Sequence, residues 1–349
     1  MILFKNGKEN LIDILDFKIL TIKKNKNNLI ELKKYFIEFK IPVIPIRAKD
    51  LIKQFNLKEG KAPKERTADP GCNPDFMPCI QAVQININDK LNFLGWLALF
   101  YELQNKSKIV SLTAYSKNVA SILDNHCDII LVGDSLGSVL YNYKSTKEVT
   151  LNTMIEHSKS VRMGIKKSLM IVDMPHNTYR TPKEALKNAK QIMKKTKCDG
   201  VKLEGGKKIY ETIKTLVKNK IPVMGHLGLL PQSDKTFKFK GKKKLERNNI
   251  IRDSQLLEKA GVFSIVLECV ETSLAKLVTQ NLKIPTIGIG ASKYCDGQIL
   301  VLDDLIGLNP MNYKFVKKYA NIRKDISKAV SSYSKEVRKI KFPNKKNSF

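Results

Sequence analysis

Several features are scarce or absent in this sequence, and each absence excludes a class of protein. No run of about 18 consecutive apolar residues occurs, so we expect no membrane-spanning helix. Residues 1–11 contain no apolar stretch followed by a small-residue cleavage site, so we expect no secretory signal. No Gly-x-Gly-x-x-Gly turn follows the first β-type run, which counts against a dinucleotide-binding fold.

Cysteines are few, and none of them forms a Cys-x-x-Cys pair, which gives no support to a zinc site or to thioredoxin-like chemistry. The cysteines are Cys72, Cys79, Cys127, Cys198, Cys269 and Cys295. Such scattered residues are typical of reduced thiols in a cytoplasmic protein.

Arginine is also scarce, with 8 residues against 55 lysines, although the formal net charge is +30. A net charge of this size is typical of proteins that bind RNA or anionic surfaces. Bidentate recognition of phosphates and bases favours arginine, however, and the lysines are spread along the whole chain. We therefore expect no specific nucleic acid partner, and a basic RNA-binding protein is the alternative from a different class.

The chain divides into three zones by composition. Residues 1–60 are rich in Lys, Asn and Ile, and we interpret them as a helical or irregular N-terminal extension, a fusion remnant. Residues 61–90 form an irregular linker or insertion, because they are proline-rich and because Thr67–Asn88 contains no lysine at all. Residues 91–349 are regular and form the predicted catalytic domain. The hydrophobic content of 42% is sufficient for a large core.

Short, nearly continuous apolar runs alternate with helical segments in the third zone. Such runs are typical of parallel strands that are buried on both faces. Seven or eight βα units in about 240 residues predict an α/β protein with a TIM-type (β/α)8 barrel, and a doubly wound sheet is the alternative. The runs are Ile109–Tyr115, Ile129–Ser135, Leu169–Pro175, Gly200–Gly206, Ile221–Gly228, Ser264–Val270, Ile284–Gly290 and, more weakly, Ile299–Asp303. The helical segments include Pro182–Thr196, Ile209–Lys218 and Ile251–Ala260.

Several of the predicted strands end in a carboxylate, where the strands of a barrel form the active-site mouth. Asp134, Asp173 and Glu204 end neighbouring strands, and three converging carboxylates would repel one another unless a cation lay between them. Oxygen ligands select a hard ion such as Mg²⁺. Glu268 ends a strand across the mouth and is a candidate general base. Lys202 supplies positive charge for an anionic substrate.

Two of these interpretations have structural alternatives. A carboxylate at the end of a strand can cap a helix or carry a surface charge, although four at matching positions make that reading weaker. His226 lies near the end of the fifth run and is predicted either to contact substrate at the mouth or to make a structural hydrogen bond.

Motifs along the third zone resemble those of ketopantoate hydroxymethyltransferases. The similarity covers residues from about 95 to 349, and the motifs occur in the family's order. They are Leu112-Thr-Ala-Tyr115, Val132-Gly-Asp-Ser-Leu-Gly137, Val201-Lys-Leu-Glu-Gly-Gly206, Gly225-His-Leu-Gly-Leu229, Pro231-Gln-Ser233, Leu267-Glu-Cys-Val270, Ile287-Gly-Ile-Gly-Ala291 and Asp296-Gly-Gln-Ile-Leu300.

The resemblance implies a TIM-type barrel, a bound Mg²⁺ and a homo-oligomer, commonly a decamer. It implies transfer of a hydroxymethyl group from 5,10-methylenetetrahydrofolate to 3-methyl-2-oxobutanoate through a stabilised enolate. The product, 2-dehydropantoate, leads to pantothenate and coenzyme A. The implied metal site is Asp134, Asp173 and Glu204, the implied base is Glu268, and the implied keto-acid contacts are Asp134, Ser135, Asp173 and Lys202.

The sequence departs from the family pattern in two places. Ser116 stands where the family's first motif usually has Asp, and the loop Thr236–Lys243 is lysine-rich where the family's is glycine-rich. Both departures concern folate binding and loop closure more than the metal site. A further similarity joins residues 41–60 to the C-terminal tail of class II tRNA nucleotidyltransferases, without the catalytic motif of those enzymes.

Two further readings of the barrel remain open at this point. The first is another Mg²⁺-dependent barrel aldolase or lyase that acts on a different 2-oxo acid, and folate dependence distinguishes it from the hydroxymethyltransferase. The second is an inactive barrel retained for assembly, against which the four intact carboxylates argue.

Overall fold

The computed structural model describes residues 108–234 and 238–349. The predicted extension, residues 1–60, and the predicted linker, residues 61–90, lie outside the described residues, as do the first residues of the predicted barrel domain. Within the described part, eight parallel strands pair in chain order and close into a barrel, with β1 beside β8. The strands are β1 Ile109–Thr113, β2 Ile129–Val132, β3 Leu169–Asp173, β4 Gly200–Glu204, β5 Val223–Gly228, β6 Ser264–Glu268, β7 Thr286–Ile289 and β8 Gly297–Leu300. The predicted (β/α)8 barrel is therefore confirmed, and the doubly wound sheet is excluded.

Helices follow most of the strands and cover the barrel from outside. They are α1 Lys117–Leu123, α2 Leu136–Val139, α3 Leu151–Arg162, α4 Pro182–Thr196, α5 Tyr210–Lys218, α6 Lys244–Ala260, α7 Thr272–Asn281, α8 Leu302–Leu305 and α9 Ile322–Arg338. The start of α4 illustrates how the sequence sets these bounds. Thr181 accepts a hydrogen bond from the backbone N–H of Glu184, and Pro182 occupies the first helical position, where no N–H is needed.

Most predicted runs extend one to three residues beyond the observed elements, and the bounds of two elements have a specific physical cause. The eighth strand is Gly297–Leu300 rather than Ile299–Asp303, because Gly297 and Gln298 pair with β1 although neither has a typical strand side chain. A β-carbon at Gly297 would lie 2.6 Å from that of Ile109, so the close approach of the two strands requires glycine. Helix α6 begins at Lys244, and its polar first turns hid this start from the apolar pattern.

The core lies between the strands and the helices that cover them. All residues of β2 and β4 are buried, as expected for strands that are covered on both faces. Side chains such as Ile130, Val172 and Leu203 are fully inaccessible. Each buried aliphatic side chain contributes about 1.5–3 kcal/mol relative to exposure, so this layer fixes the strand ends on which the polar residues lie.

Three aspartates connect strands at the amino-terminal end of the barrel. Each one directly precedes an even-numbered strand and accepts a hydrogen bond from the backbone N–H of the preceding strand, at 2.8–2.9 Å. The pairs are Asp128 with Val110, Asp199 with Met170, and Asp296 with Thr286. Because the acceptors are carboxylates, these bonds are stronger than neutral ones.

The C-terminal helix α9 differs from the others because none of its residues is buried. Its apolar side chains Ile326, Val330, Tyr333 and Val337 are 41–58% exposed. Their spacing of three and four residues places them on one face of the helix. No helix in the described ranges combines the length and apolar character needed to cross a bilayer.

Candidate active site

All seven residues that the sequence analysis singled out line one cavity at the carboxyl-terminal end of the barrel. The cavity has a volume of about 140 Å³. The residues are Asp134, Ser135, Asp173, Lys202, Glu204, His226 and Glu268. The structure therefore brings these residues together, as expected from the sequence. The position agrees with the active-site end of TIM-type barrels.

Asp134, Asp173 and Lys202 form one connected group at the ends of β2, β3 and β4. The Nζ of Lys202 lies 2.7 Å from Oδ1 of Asp173, and both side chains are at least 94% buried. The backbone N–H of Asp134 donates to Oδ2 of Asp173 at 3.1 Å. The alternative of a surface charge is therefore excluded for these residues.

This group has more negative than positive charge. Burial, followed by the carboxylates of Asp173 and Glu204, raises the pKa of Asp134 well above its usual value. Burial lowers the pKa of Lys202, but the neighbouring carboxylates outweigh it and raise the pKa overall, so Lys202 is charged. A buried carboxylate with a raised pKa indicates a site that can accept a further cation.

His226 lies between two carboxylates from different strands. Its Nδ1 is 3.5 Å from Oε1 of Glu204, and its Nε2 is 3.3 Å from Oε2 of Glu268. Burial and Lys202 lower the pKa of His226, but the two glutamates outweigh them and raise it to about 9. The imidazole is therefore charged at neutral pH and links Glu204 to Glu268. Neither ring nitrogen meets hydrogen-bond geometry, so these contacts are ion pairs, and the ring also lines the cavity. Both interpretations of His226 stay predictions.

Gln232 is the buried residue to which the sequence analysis assigned no role. Its Nε2 donates to Oδ2 of Asp134 at 2.7 Å and to the carbonyl oxygen of Met174 at 3.0 Å. Its backbone N–H donates to Oε2 of Glu204 at 3.0 Å, and its Oε1 accepts from the hydroxyl of Tyr179. The only signal for it in the sequence is the Pro231-Gln-Ser233 motif after β5, which carries no chemistry by itself.

Tyr115, which follows β1, contacts Ser135 next to Asp134. Its hydroxyl and the Oγ of Ser135 are 2.9 Å apart, and its carbonyl oxygen is 2.8 Å from Nδ1 of His157. Burial raises the pKa of Tyr115 above its usual range, so the phenol is neutral. Ser135 is thus held in place by a protonated partner.

The donor set fits Mg²⁺ through hard carboxylate oxygens. In the described part of the chain, no three His, Cys, Asp or Glu side chains are arranged to hold a metal ion as they stand. Mg²⁺ needs only one or two protein carboxylates, because water and substrate oxygens complete its coordination. Asp134 and Asp173 satisfy this requirement. Glu204 is directed toward His226 and Gln232, so its role as a third ligand stays a prediction.

The two departures from the family pattern lie beside the carboxyl-terminal ends of β1 and β6. Ser116 is exposed and stands directly before α1. Residues 235–237 lie outside the described ranges, but Lys240 joins the loop to the end of β6. Its N–H donates to the carbonyl of Cys269 at 2.7 Å, and its carbonyl accepts from Glu271 at 2.8 Å. The lysine-rich loop is therefore anchored beside Glu268.

Comparison with known families gives a match over most of the chain. The model of the ketopantoate hydroxymethyltransferase family matches residues 97–345. The 3-methyl-2-oxobutanoate hydroxymethyltransferase of Pelagibacter ubique is 69% identical over 250 residues, which cover 72% of this chain and 97% of that protein. The enzyme of the same name from Rhizobium rhizogenes is 47% identical over 246 residues, covering 69% of this chain and 90% of that protein.

Solved structures with low sequence identity share the barrel. A phosphonopyruvate hydrolase superposes with a TM-score of 0.51 at 12% identity, covering 73% of this chain and 90% of that chain. A 2,3-dimethylmalate lyase, described as a member of the PEP mutase/isocitrate lyase superfamily, gives 0.50 at 13% identity, covering 72% and 88%. At these identities the similarity concerns the fold alone.

Proposed function

The chain belongs to the ketopantoate hydroxymethyltransferase family, and we propose that it takes its one-carbon unit from 5,10-methylenetetrahydrofolate and uses Mg²⁺. Its activity is that of a 3-methyl-2-oxobutanoate hydroxymethyltransferase of pantothenate biosynthesis, which forms 2-dehydropantoate. The observation that supports the proposed chemistry is the cavity in which Asp134, Asp173, Lys202 and Glu268 meet.

Asp134 and Asp173 are the proposed ligands of the ion, with Glu204 as the third carboxylate. When bound, Mg²⁺ supplies Lewis-acid chemistry by polarising the keto oxygen of the substrate. Burial of both aspartates excludes water, which strengthens every charge interaction in the site.

Lys202 and Ser135 orient the keto acid. The ammonium of Lys202 provides the positive charge that attracts the substrate carboxylate, and its ion pair with Asp173 fixes its position. Ser135 offers a hydroxyl that Tyr115 holds in place. The isopropyl group of the substrate fits the apolar wall of the cavity, which includes Val266 and Ile289. Orientation of this kind converts a bimolecular reaction into one within a complex.

Glu268 is the proposed general base. Its side chain is 13% exposed, and it reaches the cavity from β6, across from the aspartates. In this step the C3–H bond breaks and the proton passes to Glu268. C3 forms a bond with the methylene carbon, and both bonds from that carbon to the folate nitrogens break. Water supplies the hydroxyl oxygen, and the two folate nitrogens take up the proton from Glu268 and the remaining proton of the water. His226 holds the Glu268 carboxylate toward the cavity during the transfer.

Product analysis tests this proposal directly. The purified chain is incubated with 3-methyl-2-oxobutanoate, 5,10-methylenetetrahydrofolate and Mg²⁺, with and without a chelator, and 2-dehydropantoate is measured. We expect product that disappears with the chelator and returns when excess Mg²⁺ is added. In a parallel incubation without 5,10-methylenetetrahydrofolate we expect no product, and product there would mean that the one-carbon unit comes from a different donor. Unchanged activity in the presence of the chelator would refute the metal assignment.

The exposed apolar face of α9 supports assembly into a homo-oligomer. Four large apolar side chains on one helix face are costly in water, and a second copy of the chain can cover them. We expect a large symmetric assembly, with a decamer as the family's implication, and sedimentation velocity measures its size. Replacing Val330 with Asp should shift the distribution toward smaller species.

The remaining proposals concern location and the N-terminal zone. We place the enzyme in the cytoplasm, because the cysteines in the described ranges are free thiols. Residues 1–90 are proposed to contribute no catalysis. A chain that begins at Leu91 should match the kcat of the full-length chain, and a large loss would refute this.

A further inference from the structure

We propose that Gln232 is a positioning residue that fixes the carboxylate of Asp134 for binding the cation. This inference rests on the proposed function, because it takes Asp134 as a metal ligand. Gln232 is 2% exposed, and it contacts one residue at or just after the end of each of three strands. It touches Asp134 after β2, Met174 after β3 and Glu204 at the end of β4.

The amide of Gln232 has a single orientation that satisfies its partners. The carbonyl of Met174 can only accept, and so can Oδ2 of Asp134 in the ionised form that binds a cation, so Nε2 must face them. Oε1 must then face the Tyr179 hydroxyl, which donates to it. A flipped amide would place oxygen against oxygen at two contacts. The side chain therefore uses both of its N–H donors and one acceptor, which leaves it no freedom to rotate.

The turn that carries Gln232 is itself fixed by hydrogen bonds. The N–H groups of Ser233 and Asp234 donate to the carbonyl of Leu230, at 2.9 and 2.7 Å. The carboxylate of Asp234 accepts from the N–H of Leu230 at 3.0 Å and pairs with Lys240 at 3.1 Å. A rigid turn presents Gln232 in one place, so its effect on Asp134 is positional rather than transient.

The contact with Gln232 determines which oxygen of Asp134 binds the ion. Gln232 uses one acceptor site of Oδ2, so we assign the ion to Oδ1. The same residue holds Glu204 through its backbone, and it thereby sets the separation of two of the three carboxylates. Partners that orient a ligand in this way are worth 10–100-fold in metal affinity or activity.

The test compares Gln232→Met with Ser233→Ala as the matched control. Methionine keeps the length and volume of the side chain but removes its hydrogen bonds, whereas Ser233 is an exposed neighbour in the same turn. The Mg²⁺ dissociation constant of each protein is measured by calorimetry without substrate. We expect it to rise at least tenfold in Gln232→Met and to change less than twofold in Ser233→Ala. Raising Mg²⁺ should recover part of the lost kcat/KM.

A second variant keeps the test decisive if Gln232→Met does not fold. Tyr179→Phe retains the ring and removes only the hydroxyl that fixes Oε1, and we expect Mg²⁺ binding to weaken severalfold. Wild-type Mg²⁺ affinity in a folded Gln232→Met protein, or in Tyr179→Phe when the former does not fold, would overturn the inference. Asp134→Asn separates the two levels of the argument. If Asp134→Asn abolishes Mg²⁺ binding while the Gln232 and Tyr179 variants bind Mg²⁺ normally, the metal site stands and the positioning role fails. If Asp134→Asn itself binds Mg²⁺ normally, the assignment of Asp134 as a metal ligand fails.

Discussion

Replacing Lys202 with Met removes the cation that Asp173 contacts directly. Its ammonium lies 2.7 Å from Asp173, and the side chains of Lys202 and Asp173 are only 6% and 3% exposed. Methionine retains the aliphatic part of the side chain. The substitution therefore isolates the loss of charge from the loss of packing.

The expected loss of stability follows from the distance and the burial. Two unit charges 2.7 Å apart attract by about 6 kcal/mol at an effective dielectric constant of 20. Desolvation of the lysine, which the variant no longer incurs, offsets part of this. Removal of one partner from a buried pair typically costs about 3–5 kcal/mol, because the other charge is left without compensation. We expect Lys202→Met to lose an amount in that range.

Urea unfolding at several pH values measures the effect. Burial and two carboxylates raise the pKa of Asp134, and Lys202 lowers it, so the variant should raise it further. A carboxyl group whose pKa is raised in the folded state stabilises the fold less as pH rises above its unfolded value. The loss in free energy of unfolding caused by Lys202→Met should therefore be larger at pH 8 than at pH 5. Added Mg²⁺ should restore part of the stability by replacing the lost charge.

Lys159→Met provides the matched control. Lys159 lies 2.8 Å from Glu156, a similar separation, but these side chains are 45% and 56% exposed. Such a pair within a helix contributes only about 0.3–0.5 kcal/mol. Equal losses in the two variants, or a loss below 1 kcal/mol for Lys202→Met, would refute the reasoning from burial.

Three other predictions test the base and the scaffold. Glu268→Gln should lower kcat by about 10²–10⁴-fold, and calorimetry should give an unchanged Mg²⁺ affinity. Asp124 accepts the backbone N–H groups of residues 166–168; although burial raises its pKa, these bonds lower it overall. Asp124→Asn should cost about 2–3 kcal/mol in urea unfolding at pH 7, and the deficit should shrink below pH 4 as the wild-type carboxylate is protonated. Thr181→Ala removes the cap of α4 and should cost about 1 kcal/mol in the same assay. Normal turnover of Glu268→Gln would contradict a base role for Glu268. Unchanged unfolding midpoints of Asp124→Asn and Thr181→Ala would contradict the stabilising roles of Asp124 and Thr181.

The barrel and the convergence of its polar residues were predictable from the sequence because both depend on local pattern. Asp173 and Glu204 are the last residues of their strands, and in a parallel barrel strand ends share one rim. The apolar runs gave seven strands nearly in place, and they missed the start of β8 because Gly297 and Gln298 take part through backbone pairing alone.

The role of Gln232 was not predictable in this way. It depends on contacts with Asp134 and Met174, which are 98 and 58 residues away along the chain. A glutamine in a turn has no periodicity, and its buried position becomes visible only when the strands are closed. The two contacts of His226 likewise join residues from β4 and β6, which no local pattern places together.

The aspartates that precede β2, β4 and β8 lie at the opposite end of the barrel from the cavity. They join β1 to β2, β3 to β4 and β7 to β8 from below, so these strand pairs do not depend on the residues at the mouth alone. Substitutions at the mouth can accumulate over evolutionary time and change which substrate is accepted, while the strands remain joined at the other end. A lineage of such barrels can thus exchange one chemistry for another without passing through an unfolded ancestor.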